Sequence, residues 1–166
     1  MLPPTDRPTT ATPGRGHRRL RDRPALRRMV IGAIVLILVQ AGIGMAVNLY
    51  VTVPASHPGA HPSDYLSGSF HSVVWAISHG APALAVHAAL GLALAVMVIG
   101  VSVRAVRLRR GTVTALSVVG GLLVIGAGFN GASFLDFNDN ISSLIMALLA
   151  FAAVACYAIV LFILEP

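Results

Sequence analysis

Not one lysine occurs in this chain: all 12 basic residues are arginine, confined to the first 28 positions and to one short stretch from Arg104 to Arg110. Charged residues are only 11% of the total and aromatics 6%, against 56% hydrophobic residues. A chain of 166 residues with a mean hydropathy of +0.81 is too apolar for an ordinary soluble domain. Its composition is that of a membrane protein. A single cysteine, Cys156, excludes an intramolecular disulfide, and its apolar neighbours point to packing. Nucleophile elbows, phosphate loops and paired zinc-ligand motifs are absent as well. The enzyme question is therefore left open and leans towards no. An enzyme with its chemistry in the outer leaflet would have to use His87 or His79 as base.

Position explains the charge that is present. Residues 1–28 hold eight arginines against Asp6 and Asp22, which accounts for the entire formal net charge of +6. A basic run without aromatics to stack on bases, set directly before an apolar segment, suits anionic lipid headgroups and not nucleic acid. Arg18, Arg19, Arg21, Arg23, Arg27 and Arg28 are the expected membrane-surface residues of this tail, joined by Arg104, Arg107, Arg109 and Arg110. The tail itself, rich in Pro, Thr and Arg, has no hydrophobic period and is expected to be disordered and cytoplasmic.

Residues 29–166 are expected to form one transmembrane domain. Four uncharged apolar runs, about Met29–Val51, Pro82–Val103, Thr112–Ser133 and Ile141–Leu164, each reach the roughly 20 residues a spanning helix needs. Pro82 suits a first helical turn, and Asp139 or Asn140 a cap. Arginine marks cytoplasmic flanks. The tail and the second loop carry it, whereas the first and third loops carry none and hold Asp64, Asp136 and Asp139. The expected fold is an all-α, antiparallel four-helix transmembrane bundle of the inner (plasma) membrane, multi-pass, with both termini cytoplasmic. A cleaved leader ending near Val53–Ser56 is the rival, but its apolar core is longer than the 7 to 15 residues such leaders carry.

Small residues four apart recur in the runs (Gly42 with Ala46, Gly91 with Ala95, Ala127 with Gly131, Gly128 with Ala132) and predict close helix contacts. Asn48, His87, Asn130, Ser142 and Ser143 come to similar depth and predict a polar cluster in the outer half of the bundle. In the first loop, His71, Trp75 and His79 follow at spacing four among apolar neighbours. That pattern predicts a short amphipathic interfacial helix. His57 and His61, among Pro and Gly, are expected to be mobile and solvated.

"VHAALGLALAV" resembles the histidine-bearing helix of small haem-carrying membrane bundles, in which an imidazole ligates iron and a glycine admits the porphyrin. On that resemblance His87 would pair with His79 or His71. His79 and His87 are too far apart on one continuous helix to share an iron, so a folded-back loop would be needed. Loop histidines with Asp64, Asp136 or Asp139 could instead hold a transition metal. "DFNDN" opens like a calcium loop but lacks its glycine and closing glutamate.

The patches "MAVNLYVTVPASHPG", "SHGAPALAVHAALG" and "GAGFNGASFLDF" make the stretch from Arg28 to Leu164 resemble a group of small four-span bacterial membrane proteins with no assigned activity. The resemblance implies the four-span topology and draws attention to Asn48, His87, Asn130 and the surroundings of Asp136. The expected function is that of a non-enzymatic accessory or interaction protein, with the bilayer and possible membrane-protein partners. The alternative is a b-type haem- or metal-binding membrane protein using the outer histidines. No cofactor is expected under the first, haem b or a transition metal under the second.

Overall fold

A computed structural model describes residues 15–165, with side chains from residue 23 onward. Five helices follow one another: α1 (Arg15–Tyr50), α2 (Tyr65–His79), α3 (Pro82–Leu108), α4 (Gly111–Phe137) and α5 (Asn140–Ile163). Among the described residues there is no strand. Four helices, Arg23–Tyr50 within α1, then α3, α4 and α5, are long and apolar enough to cross a membrane. The shortest of them, at 24 residues, is about 36 Å long at 1.5 Å per residue, against a hydrocarbon layer of about 30 Å.

The first helix begins at Arg15, ahead of the apolar run, with Pro24 inside it. Residues 1–14 and the side chains of Arg18, Arg19 and Arg21 lie outside the described residues. A long apolar helix supplies the nucleus from which good helix formers such as Arg, Leu and Ala extend backwards. The remaining boundaries are set by local chemistry. Asp64 caps α2 by accepting from Ser67 N at 2.8 Å. Pro82 opens α3, and Arg109 closes it in the left-handed region at φ 55°. Asn138, at φ 52°, closes α4, and Asp139 caps α5 by accepting from Ile141 N at 3.0 Å. α4 therefore runs on through Asp136 to Phe137, where a loop beginning at Phe134 was expected.

The spanning helices form a ring in which α1 and α4 each touch both α3 and α5, and α2 lies on α3 and α4. Close approaches at glycine fix the register. A Cβ placed on Gly100 would lie 3.2 Å from Met29 Cε, one on Gly91 3.2 Å from Gln40 Nε2, and one on Gly44 2.8 Å from His87 Cε1. Numbers on α3 fall as those on α1 rise. Gly120 meets Tyr157, Gly126 meets Leu149 and Gly131 meets Met146 in the same descending order between α4 and α5. Gly42 and Gly128, both expected at contacts, have nothing within 4 Å.

Two apolar clusters fill the ring. One joins α1, α3, α4 and α5 around Val30, Ile37, Val98, Val113, Tyr157 and Val160. The other joins Val47, Val53, Ala76, Leu84 and Leu135, uniting α1, α2, α3 and α4 at the opposite end. Large apolar side chains such as Leu49, Val96, Leu122 and Phe162 point outward, each more than 60% exposed. Large apolar side chains thus occupy both the buried and the exposed faces, unlike a water-soluble bundle.

Candidate functional site

All the described arginines gather at one end of the ring, where α1 enters, α3 leaves and α4 begins. Asp64, Asp136 and Asp139 gather at the other, with His57, His61, His71 and His79. Chemistry-bearing side chains concentrate at this histidine end. α2 covers it by laying Gly68, Ser69, Ser72 and Ala76 on the bundle, small residues that bring its backbone close to α3 and α4.

Asp136 is the centre of the cap. It is 2% exposed, and its Oδ2 accepts from Ser69 Oγ at 2.9 Å. Its backbone oxygen accepts from His61 N at 3.0 Å. Tyr65 Oη donates to Phe129 O at 3.0 Å and lies 2.7 Å from Ser133 Oγ. Asp136 Oδ1 and the fully buried Ser72 Oγ have no protein partner. Over this set arches the segment 57–61, turned by Gly59 at φ 98°. Gly59 packs on Ser72 and on Gly68 so tightly that a Cβ there would collide with both.

His57 anchors the arch, contrary to the expectation of a solvated, mobile residue. Its ring stacks on Trp75 with centroids 4.4 Å apart and planes 16° from parallel. Nδ1 and Nε2 each lie 3.1 Å from a carbonyl oxygen, those of Pro58 and Leu135. A neutral imidazole has one N–H and donates to only one of them at a time. His61 sits at φ 49° with its ring 6.2 Å from that of Phe137, centroid to centroid, in an edge-on arrangement. Pro and Gly in this loop shape a tight turn instead of leaving it loose.

The five residues expected to cluster are not joined to one another by hydrogen bonds among the described residues. Asn48 is exposed near the end of α1, and Asn130 Nδ2 donates to Gly126 O on its own helix at 2.9 Å. Ser142 is buried and Ser143 half-buried in the first turn of α5. His87 packs against Gly44, and its backbone oxygen accepts from Gln40 Nε2 at 2.8 Å. His87 Nδ1 and Gln40 Oε1 are buried without protein partners. The polar contact in the α1–α3 seam is thus between Gln40 and His87.

The three sequence-level metal or haem candidates separate similarly. His71 and His79 are exposed on α2, with His71 Nδ1 donating to Ser67 O at 2.8 Å and His79 Nδ1 2.7 Å from Ser78 Oγ. They rim an open apolar groove floored by Pro58, Val74 and Trp75. The space at Gly91, which the haem resemblance gives to a porphyrin, faces Gln40. Asp64 and Asp139 act as helix caps and Asp136 as the cap's buried acceptor. Among the described residues no group of three or more His, Cys, Asp or Glu is arranged to hold a metal ion.

A second polar set went unseen in the sequence. Ser102 Oγ donates to Val98 O at 2.9 Å and reaches Ser117 O at 3.3 Å, and Thr114 Oγ1 donates to Ala105 O at 3.0 Å. Tyr157 fits into the notch at Gly120 and Gly121, fully buried. Isolated Ser and Thr in an apolar run read as spacers, because only the packed register shows which carbonyls lie opposite. Comparison with protein-family models, with curated proteins and with solved structures found no match to this chain.

Proposed function

We propose that the chain is a four-span integral membrane protein with its arginine end in the cytoplasm, acting as a non-enzymatic accessory or interaction protein through its capped outer end. The two-residue connections Arg109–Arg110 and Asn138–Asp139, with the descending registers, support an antiparallel bundle. Segregation of arginine from aspartate along the bundle axis supports the direction and a bacterial inner membrane. α2 is read as interfacial because its outward face carries Leu66, Phe70, Val74 and Ile77, which water would not favour and a headgroup boundary would.

One observation carries the non-enzymatic reading. The groups that could do chemistry at the outer end, Asp136, Ser69 and His57, are engaged in tying the arch and α2 to α4. They form a fastening, and the exposed apolar side chains of α2 beside them offer a surface for a partner.

The buried, unpartnered Nδ1 of His87 favours a second reading, a metal or haem ligand in the α1–α3 seam. One preparation separates the two. Protein extracted from membranes in mild detergent is expected to be colourless, free of stoichiometric metal, and cross-linked to a partner through cysteines placed on the exposed face of α2. A Soret band, or a bound metal lost in His87→Ala, would overturn the accessory reading.

A further inference from the structure

At the arginine end the register brings two helices' cations together. Met29 lies against Gly100 and Gly32 against Met97, so the turns of α1 before Met29 run beside the turns of α3 after Gly100. Arg23, Arg27 and Arg28 thus stand next to Arg104 and Arg107, all five exposed. Leu26, Ala105 and Leu108, none more than 5% exposed, close the seam between them. The arginines are left exposed beside this seam. Arg109 and Arg110 follow at the end of α3, and the acids that the sequence brings to this end are Asp22, beside Arg23 in α1, and Glu165.

We infer that this arginine-flanked seam, and not the tail before it, is a binding site for the headgroup of a phospholipid carrying two negative charges. Its chemistry is that of an amphiphile's receptor. On α3 the exposed Val103 and Val106, 44% and 54% accessible, alternate with Arg104 and Arg107, and Ile31 on α1 is 43% accessible. Apolar surface for acyl chains adjoins guanidinium groups that grip phosphate oxygens in pairs. Cations on both helices, three on α1 and two on α3, suit two phosphate charges held between helices at the membrane surface. Neither segment contains an aromatic residue on which a base could stack, which disfavours nucleic acid. The inference rests on the membrane reading above.

The test uses the full chain reconstituted in neutral phosphatidylcholine vesicles doped with cardiolipin, with retained lipid counted by native mass spectrometry. Arg104→Gln with Arg107→Gln, and separately Arg23→Gln with Arg27→Gln, are each expected to lower cardiolipin retention about twentyfold, from roughly fivefold per arginine. Arg18→Gln, Arg19→Gln and Arg21→Gln together are expected to lower it less than either pair does. Lysine at 104 and 107 should restore most of the binding, separating charge from helix damage. Equal loss from the tail variant, or inserted wild-type protein that retains cardiolipin no better than neutral lipid, overturns the inference. So does displacement of cardiolipin by millimolar inorganic phosphate, which would mark a free-anion site. Failure of the wild type to insert at all would instead remove the membrane reading.

Discussion

Asp136 concentrates the residue-scale account, since one side chain and its own backbone oxygen hold both α2 and the first loop. Ser69→Ala removes the donor to Oδ2 and leaves a buried carboxyl oxygen bare. The expected loss is about 1–3 kcal/mol, read as a lower midpoint in detergent thermal unfolding. Ser78→Ala is the control. That hydroxyl bonds Val74 O within its own helix at 2.7 Å, and the change should stay within about 0.5 kcal/mol. Gly59→Ala forces a side chain into the left-handed region against Ser72 and should cost about 1–3 kcal/mol. Gly128→Ala, with open space around it, should be near neutral. Equal midpoints for these two variants would mean that the arch does not form. Single residues were legible where their role is local. Pro82 and Asp139 could be assigned because a first-turn proline and an N-cap depend on adjacent sequence. Asn130 could not be, because an amide in an apolar helix can turn to the carbonyl one turn back as readily as to a neighbour.

At the scale of elements, α2 was legible as a helix but not in the face it buries. The spacing of His71, Trp75 and His79 predicts helix, and Asp64 moves its start back to Tyr65. Apolar residues alone would turn Phe70, Val74 and Ile77 inward, yet Ser69, Ser72 and Ala76 are the buried face. Small residues win because they allow the backbone to lie close on α3 and α4, and the bulky face is left for another apolar phase. Ala76→Leu, at a site with no exposed surface, should lift α2 and cost about 1–3 kcal/mol, with faster amide exchange across residues 57–79. Phe70→Ala, at a site 68% exposed, should leave unfolding unchanged and weaken interfacial anchoring. Trp75 is the only tryptophan, so its emission reports this element without interference. Lipids brominated near the headgroup should quench it more strongly than lipids brominated near the chain ends. Stronger quenching by the deep bromines would place α2 inside the bilayer and contradict its assignment.

Across the whole molecule, hydropathy made the four spans readable, since each run is long and uncharged. The pairing of helices was not readable. Candidate contacts at small residues were too many, and Gly91 and Gly131 proved close to neighbouring helices while Gly42 and Gly128 did not. The expected polar cluster meets the same limit: depth can be counted along a helix, but rotation about its axis is set by packing. What the ring adds is polarity of charge, with arginine at one end and the aspartate-fastened cap at the other. On the proposed direction, that polarity assigns each surface its side of the membrane. Site-directed labelling in intact cells tests it most directly, using a Cys156→Ala background with one cysteine at Ser63 or, separately, one at Thr9. A membrane-impermeant maleimide is expected to modify the Ser63→Cys protein in whole cells and the Thr9→Cys protein only after lysis. Labelling of Thr9→Cys in whole cells with protection of Ser63→Cys would contradict the account.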